Sequence, residues 1–440
     1  MEGNFFMDYL GVAVVGFGTV GGGVVKVLLD RRRELQREIG VDIELRHVCD
    51  LDITTDRGVA VPKELLTTDF QKVLNDDKVG CVVHLVGGIE LERKMMLESI
   101  GRRKHVVTAN KALLATKGAE IFKAAAEAGV SVSFEASCAG GIPIIAALRD
   151  SFIANRIQSV IGIVNGTCNY ILTSMSKKGA SYHAALGEAQ KKGYAEADPT
   201  LDVNGTDSAH KLVILSEIAF GKSFDYSAVY RQGIDTVEAR DVQYAHELGY
   251  VIKLLAIGKA RADGYELRVH PTLLSADHPL ASVDGVFNGV CVRGDVVGDT
   301  AFYGRGAGRM PTASAVVSDV VDVALGRAAI AFGRVRKLPH VSEPGRIVPM
   351  GELVGRYYLR VNVVDKPGVL GKTSSVLGEH HISIFSVLQK ELRPAGTVPV
   401  VMTTHEAKEA DLTAAIDELE RLDVVKAKTV WMRIEGNDSE

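Results

Sequence analysis

The residues best equipped for chemistry crowd into one short stretch, 193–211, which reads GYAEADPTLDVNGTDSAHK and carries Glu196, Asp198, Asp202, Asp207 and Lys211. Carboxylates set beside a lysine can pass a proton near neutral pH. The Asn204-Gly205 pair is a turn signal and predicts a helix from about Thr206. On that helix Asp207 and Lys211 lie four apart and share a face. Beyond them Leu212, Val213, Ile214, Leu215, Ile218 and Phe220 make the helix apolar nearly all round, the pattern of a buried helix. Ionisable groups on its first turns are costly unless they line a cleft. A lone Asp/Lys pair at this spacing is more often a surface ion pair. Five ionisable groups converging ahead of an apolar helix point instead to an active site.

The elements that must position this stretch belong to a large soluble chain. Its 440 residues imply two or three domains with ample core. A net charge of −4 with 24% charged residues gives no case for nucleic-acid binding. Cysteines 49, 81, 138, 168 and 291 are scattered without CxxC or metal spacing, as expected of reduced, cytoplasmic thiols. No secretory signal is visible, and the longest uncharged run, 9–25, is a strand and glycine turn rather than a membrane span.

Residues 10–50 read as strand, turn, helix, strand. Val12–Val15 is apolar, and GFGTVG follows at once (Gly16, Phe17, Gly18, Thr19, Val20, Gly21), leading into a helix. Strand before and helix after give the dinucleotide fingerprint its required context. Gly16 permits the tight turn, Gly18 lets backbone approach a pyrophosphate, and Gly21 allows close helix–strand packing. The second strand, 43–48, ends at Cys49-Asp50. An acid there accepts from ribose hydroxyls and repels a 2′-phosphate, so NAD should serve at least as well as NADP; Arg57 nearby could bind a phosphate instead.

The α/β rhythm continues through a strand at 80–86 ending in Gly87-Gly88, a helix at 90–100 and a strand at 105–108. Ala109-Asn110-Lys111 follow at that strand's carboxyl end, where open parallel sheets bind ligands, although Lys111 reads equally as a solvated loop lysine. A helix at 119–128 and a strand at 130–134 precede a glycine-rich loop, 135–143. Its backbone carbonyls and the single carboxylate Glu135 could hold a hard cation, or the loop is a plain turn. After a strand at 157–164, Thr167 and Asn169 either cap a helix or bind a polar substrate. Residues 250–302 are strand-rich, and the sheet surface they present predicts a subunit interface within 136–330. The run YGRGAGRMPTASAVVSD places Gly304, Gly306 and Gly308 before an Ala/Val helix, an arrangement suited to backbone approach to a cofactor. Residues 333–355 read as a linker. The tail orders as β-α-β-β-α-β, a ferredoxin-like split βαβ unit of its own.

Together GFGTVG, LVGGIE, HVVTANKALLA, FEASCAGGIPII, NGTCNY, GYAEADPTLDVNGTDSAHK, YGRGAGRMPTASAVVSD and DKPGVL resemble bacterial homoserine dehydrogenases with a C-terminal ACT domain. The likeness covers essentially the whole chain. It implies an α/β protein with a Rossmann-like dinucleotide-binding domain at 1–135, completed by a helix near 311–327. An α+β substrate and dimerisation domain at 136–332, the linker at 333–355 and an ACT domain at 356–435 would follow. The activity implied is reversible NAD(P)-dependent oxidation of L-homoserine to aspartate 4-semialdehyde, on the threonine, methionine and isoleucine route.

The resemblance also assigns roles. Lys211 would give and take the proton, with Lys111 lining the catalytic site; Glu196 and Asp207 would hold the substrate amine or hydroxyl, supported by Asp202 and Thr167. The cofactor would lie on Gly16–Gly21, Asp50, Gly87, Ala109, Lys111, Gly306 and Gly308. Glu135 with the carbonyls of Cys138, Gly140 and Ile142 would hold a monovalent cation such as sodium. Threonine would be the tail's effector, and the assembly a homodimer or homotetramer. His84 stands where the family often has an acid, and Cys168 where threonine is common. A partly desolvated lysine at a helix N-terminus is the better base, although its neighbour Asp207 opposes that shift.

Two other readings use the same residues. An aspartate-semialdehyde-type dehydrogenase would need an activated cysteine, for which Cys138 is the one suggestive candidate. A non-catalytic nucleotide and amino-acid sensor would use the Rossmann and ACT parts only to bind, but the intact acid–lysine cluster speaks against it.

Overall fold

Strand Tyr9–Val15 is buried along nearly its whole length and has parallel partners on both sides, Asp42–Cys49 and Val79–His84. The computed structural model describes residues 8–335, 338, 342–389 and 396–436. The first seven residues, positions 336, 337 and 339–341 of the expected linker, 390–395 in the tail and 437–440 lie outside them. Within the described residues the first sheet is six-stranded and parallel, in the order Leu66–Thr67, Asp42–Cys49, Tyr9–Val15, Val79–His84, His105–Thr108, Val132–Ser133. That is the doubly wound dinucleotide order, with its crevice beyond the carboxyl ends of the first and fourth strands in sequence. Helix Thr19–Ile39 follows the glycine loop. A Cβ at Gly21 would lie 1.9 Å from the Gly16 carbonyl oxygen, so strand and helix meet only because that position is glycine.

Helix Arg309–Ala324 returns from far along the chain to seal this lobe. Its Ala313, Val316, Val317 and Val320 join Val24, Val25 and Leu28 in one core. Lys111, read as a loop residue, is the first residue of helix Lys111–Ala128, whose N-terminus is capped by Asn110 accepting from Leu113 N–H at 3.1 Å.

The second sheet is 11-stranded and runs without a break from substrate lobe to tail. Its main path is Gly298–Arg305, Phe287–Gly294, Ile157–Ile163, Tyr250–Arg261, Gly264–Ser275, Val430–Glu435, Val354–Val364, Thr397–Thr404, Ile384–Leu388. The tail has its own core, built around Tyr357, Leu359, Val361, Leu377, Val400, Met402, Leu412 and Leu419. It is nonetheless not a detached unit. Thr272, Leu273 and Leu274 pair in parallel with Arg433, Ile434 and Glu435, because the outer edge of strand Gly264–Ser275 would otherwise leave backbone groups unpaired. Beside that seam, Arg360 of the tail lies 1% exposed and grips Asp241, itself 0% exposed, on helix Ala239–Glu247 of the substrate lobe. No described helix is long and apolar enough to cross a membrane.

Candidate active site

Gly205, in the left-handed region at φ 83°, turns the chain into helix Thr206–Phe220, which is buried along most of its length. That helix brings Thr206, Asp207 and His210 to a cleft of about 420 Å³, with Lys211 buried behind Asp207 rather than among the lining residues. One wall comes from the nucleotide lobe: Val20, Val86, Gly87, Gly88, Ala109, Asn110 and Lys111. The other comes from Glu196, Asp198, Asp202, Thr206, Asp207 and His210. The glycine loop abuts this space, since a Cβ at Gly16 would fall 2.6 Å from the Leu85 carbonyl carbon.

At its floor the Asp207 carboxylate is held between two ammonium groups. Lys211 Nζ lies 2.7 Å from Oδ2, and Lys111 Nζ 3.0 Å from Oδ1. Burial alone would push this carboxyl up; the two lysines outweigh it and hold it well below the usual range. In return Asp207 raises the Lys111 ammonium above its ordinary value against the opposing effect of burial. Lys211 Nζ also donates to the Val164 carbonyl at 2.7 Å.

Asn165, unassigned from sequence, organises the acids. Its Nδ2 donates to Asp202 at 2.8 Å and to Asp207 at 3.0 Å, and its Oδ1 accepts from Cys168 N–H as the cap of helix Gly166–Lys178. The sequence signal, a strand followed by Asn-Gly-Thr, announces the cap but not the reach to two carboxylates. Asp202 is pushed up chiefly by burial. Glu196 is exposed at the rim. His210 was also missed; it stacks on Tyr226 at 4.5 Å, and burial lowers its imidazole.

Several expected contacts fall elsewhere. Thr167 does not line the cleft; its hydroxyl donates to the Tyr194 carbonyl at 2.6 Å and steadies the acidic loop. The Asp50 carboxylate accepts from the backbone N–H of Phe17 and, at 2.9 Å, of Asp52. Gly306 lies against Gly140, where an added Cβ would come within 2.5 Å of its carbonyl oxygen, and Gly308 precedes helix Arg309–Ala324. Neither glycine is a cleft-lining residue.

The buried Glu135 carboxylate accepts from Ile145 N–H at 2.9 Å and Ala146 N–H at 2.8 Å, and burial raises its carboxyl. Among the described residues no group of three His, Cys, Asp or Glu could hold a metal. A cation here would depend on backbone carbonyls, a hard oxygen set that suits a monovalent ion. The buried Asn288 amide, with neither polar atom bonded, lies against Gly306 beside this loop. Cys138 is completely buried and its thiol is pushed up to about 12, which excludes the activated nucleophile of the cysteine-dependent reading. His84 and Cys168 are buried outside the cleft lining; His84 Nε2 meets Ser99 Oγ at 3.0 Å, and Cys168 Sγ donates to the Asp202 carbonyl.

A doubly wound nucleotide sheet with an acid–lysine cleft at its crevice defines an NAD(P)-dependent oxidoreductase. Family models match as homoserine dehydrogenase over residues 143–321, as its NAD binding domain over 16–135, and as an ACT domain over 357–424. Homoserine dehydrogenase of Neisseria gonorrhoeae is 43% identical over 436 residues, covering 98% of this chain and 99% of that protein. The crystal structure of a homoserine dehydrogenase from Thiobacillus denitrificans superposes with a TM-score of 0.92 at 44% identity, covering 98% and 99% of the two chains. A hyperthermophilic archaeal homoserine dehydrogenase in complex with NADPH has a TM-score of 0.61 at 26% identity, over 72% of this chain and 98% of that one. The chain belongs to the homoserine dehydrogenase family, and its reaction is the NAD(P)-dependent interconversion of L-homoserine and aspartate 4-semialdehyde in amino-acid biosynthesis.

Proposed function

We propose that Lys211 is the group that moves the proton in this reaction, held in place by Asp207. The observation that carries the proposal is the Asp207 carboxylate lying 2.7 Å from Lys211 and 3.0 Å from Lys111 at the cleft floor. Bound NAD(P) supplies the hydride acceptor, lodged by the Gly16–Gly21 loop with Gly87 and Ala109. An ammonium has three N–H donors, and Lys211 gives two of them to Val164 and Asp207. The third is left for the substrate oxygen. In the reducing direction the Lys211 ammonium protonates the aldehyde oxygen as hydride arrives and is left as the neutral amine; in the oxidising direction that neutral amine takes the proton from the C4 hydroxyl. Asp207 is already committed to two lysines and Asn165. The substrate ammonium therefore falls to Glu196 at the rim, with Asp202 behind it and Lys111 completing the wall.

Three further assignments accompany it. Glu135 and the carbonyls of Cys138, Gly140 and Ile142 hold a sodium-like cation that braces the loop behind the site. L-threonine docks its carboxylate on the tail at residues 365–370, ahead of helix Val369–Glu379, where Gly368 supplies a left-handed N-cap. The strand-rich face of the substrate lobe pairs two or four copies. Inhibition by millimolar threonine, sodium-dependent thermal stability and light scattering test these in turn.

The central test is Lys211→Met. The variant should lose about 10²–10⁴-fold in kcat while its dinucleotide dissociation constant stays within a few-fold of wild type. Near-normal kcat in a folded variant would sink the assignment.

A further inference from the structure

A chain of ring and guanidinium contacts ties the cleft to the far end of the tail. His210 lines the cleft and stacks on Tyr226, with ring centres 4.5 Å apart and planes 24° from parallel. The Arg231 guanidinium stands 5.4 Å from the centre of the Tyr226 ring. Arg231 belongs to the two-residue strand Tyr230–Arg231, and the ring of Tyr230 has the Arg433 guanidinium 4.7 Å from its centre. Arg433 lies on Val430–Glu435, the last strand of the tail, and is buried. A cation over an aromatic face is attracted by the ring's quadrupole, the more so where water is excluded.

The same short strand meets the start of the catalytic helix through its backbone. It pairs with Arg268 and Val269, and just beyond it Gln232 N–H donates to the Val269 carbonyl at 2.8 Å and Ile234 N–H to the Val203 carbonyl at 2.9 Å. A Cβ at Gly205 would sit 3.3 Å from the Val269 side chain and 3.4 Å from the Gln232 carbonyl oxygen. Gly205 is the left-handed residue from which helix Thr206–Phe220 departs. What lies against that turn therefore sets the direction in which Asp207, His210 and Lys211 project. Segment 230–234 is a wedge, with the tail on one side and the turn on the other.

The tail's side of the wedge is itself held. Arg433 grips Glu409, the first residue of helix Glu409–Leu419, through Nε at 2.7 Å and Nη2 at 2.6 Å. This bidentate pair is buried and fixes the plane of the guanidinium, so the place where the tail helix begins decides how Arg433 meets Tyr230. Beside the contact is a cavity of about 210 Å³, lined in part by Gln232, Val237, Thr429 and Trp431. It leaves the wedge room to shift where a close-packed interior would not.

From this geometry we infer that Arg433 and Tyr230 are positioning residues for the reaction: through strand Tyr230–Arg231 the tail holds the turn that aims the catalytic helix. The inference rests on Lys211 moving the proton and adds what keeps that lysine in place. Among the described residues the tail lines no part of the cleft, so its influence on the chemistry is carried by packed side chains. A displacement of helix Glu409–Leu419 reaches Asp207 and Lys211 by this route.

The experiment compares Tyr230→Phe with Tyr230→Leu in the full chain. Phe keeps the ring and loses only a hydroxyl that meets Gln232 at 3.3 Å, so its kcat should match wild type. Leu removes the face that Arg433 rests on and should lower kcat about 10- to 100-fold, the scale of a small misplacement of catalytic groups. Its dissociation constant for NADPH in a fluorescence titration should stay within a few-fold, because the nucleotide lobe is untouched. Should Tyr230→Leu fail to fold, the pair Arg433→Met with Glu409→Gln removes the cation without stranding a buried carboxylate and should show the same loss. Combined with Tyr230→Leu, that pair should cost little more, since both break one contact. Wild-type kcat in folded Tyr230→Leu overturns the inference, and so does NADPH binding that weakens as much as kcat falls, which marks general loosening. Losses that multiply in the combined variant overturn it as well. Lys211→Met is read separately, so failure of the wedge and failure of the proton assignment are told apart.

Discussion

The buried contact between Arg360 and Asp241 makes a quantitative test of how firmly the tail is joined to the catalytic lobe. Arg360 Nε lies 2.6 Å from Asp241 Oδ1 and Nη2 lies 2.9 Å from Oδ2, a bidentate pair; the Tyr358 hydroxyl donates to Oδ1 at 2.8 Å. Replacing Arg360 with Met keeps most of the stem and deletes the guanidinium. Asp241 then stays buried with Tyr358 as its one side-chain partner among the described residues, while Glu238, 3.0 Å from the same Nη2, keeps Arg240 at 2.6 Å. An uncompensated buried charge costs about 3–5 kcal/mol. The double variant Arg360→Met with Asp241→Leu removes both charges and should recover most of that loss, because a buried pair is often no better than a well-packed apolar one. Urea unfolding followed by Trp431, the chain's single tryptophan, reads the seam directly, since that residue lies on strand Val430–Glu435 with the Arg433 guanidinium 4.8 Å from its ring. A loss below about 1 kcal/mol in Arg360→Met, or a double variant as unstable as the single one, would refute the argument from an unpaired carboxylate. The same geometry predicts that cutting the chain after Gly351 leaves a weakened core. Its Asp241 carboxylate and the edge of strand Gly264–Ser275 are both stripped of partners.

The remaining predictions concern the nucleotide lobe. Gly21→Ala drives a methyl group onto the Gly16 carbonyl and should lower stability by about 1–3 kcal/mol and weaken NADPH binding in a fluorescence titration; unchanged binding would show that the loop relaxes freely. Burial pushes the Glu92 carboxyl up to about 8, with the Val86 N–H opposing only weakly. The folded chain thus holds a proton that the unfolded chain releases near its ordinary value of about 4.3. Stability from this group is complete below that value and is lost as pH rises toward 8. Glu92→Gln should therefore gain on wild type between pH 5 and about 8.5 in thermal melts, and parallel curves across that range would contradict the assignment.

Local signals carried the sequence reading a long way. The Asn204-Gly205 turn, the apolar helix behind it, the glycine loop between strand and helix and the order of tail elements are all written in adjacent residues. Less was legible where partners are distant or where a side chain has two plausible jobs. Asp50 and Thr167 sit where a cofactor and a substrate would be sought, yet each bonds to backbone, which spacing alone does not reveal. Lys111 opens a helix because Asn110 caps it; without an apolar period in KALLATKG, the helix start was placed too late. Thr167 and Asn169 were the cap candidates, but Asn165 is the cap, and its amide also reaches Asp202 and Asp207 across the fold. The parallel pairing of Thr272–Leu274 with Arg433–Glu435 leaves no mark in either segment.

The sealing helix Arg309–Ala324 also sets an order of assembly. During synthesis the six-stranded sheet emerges early, but one face of helix Thr19–Ile39 stays bare until the whole substrate lobe has followed it out of the ribosome. Non-local closure of this kind slows folding and leaves apolar surface open to wrong partners. The nascent chain thus spends most of its time on the ribosome with its nucleotide lobe unsealed, a window in which a chaperone would have most to protect.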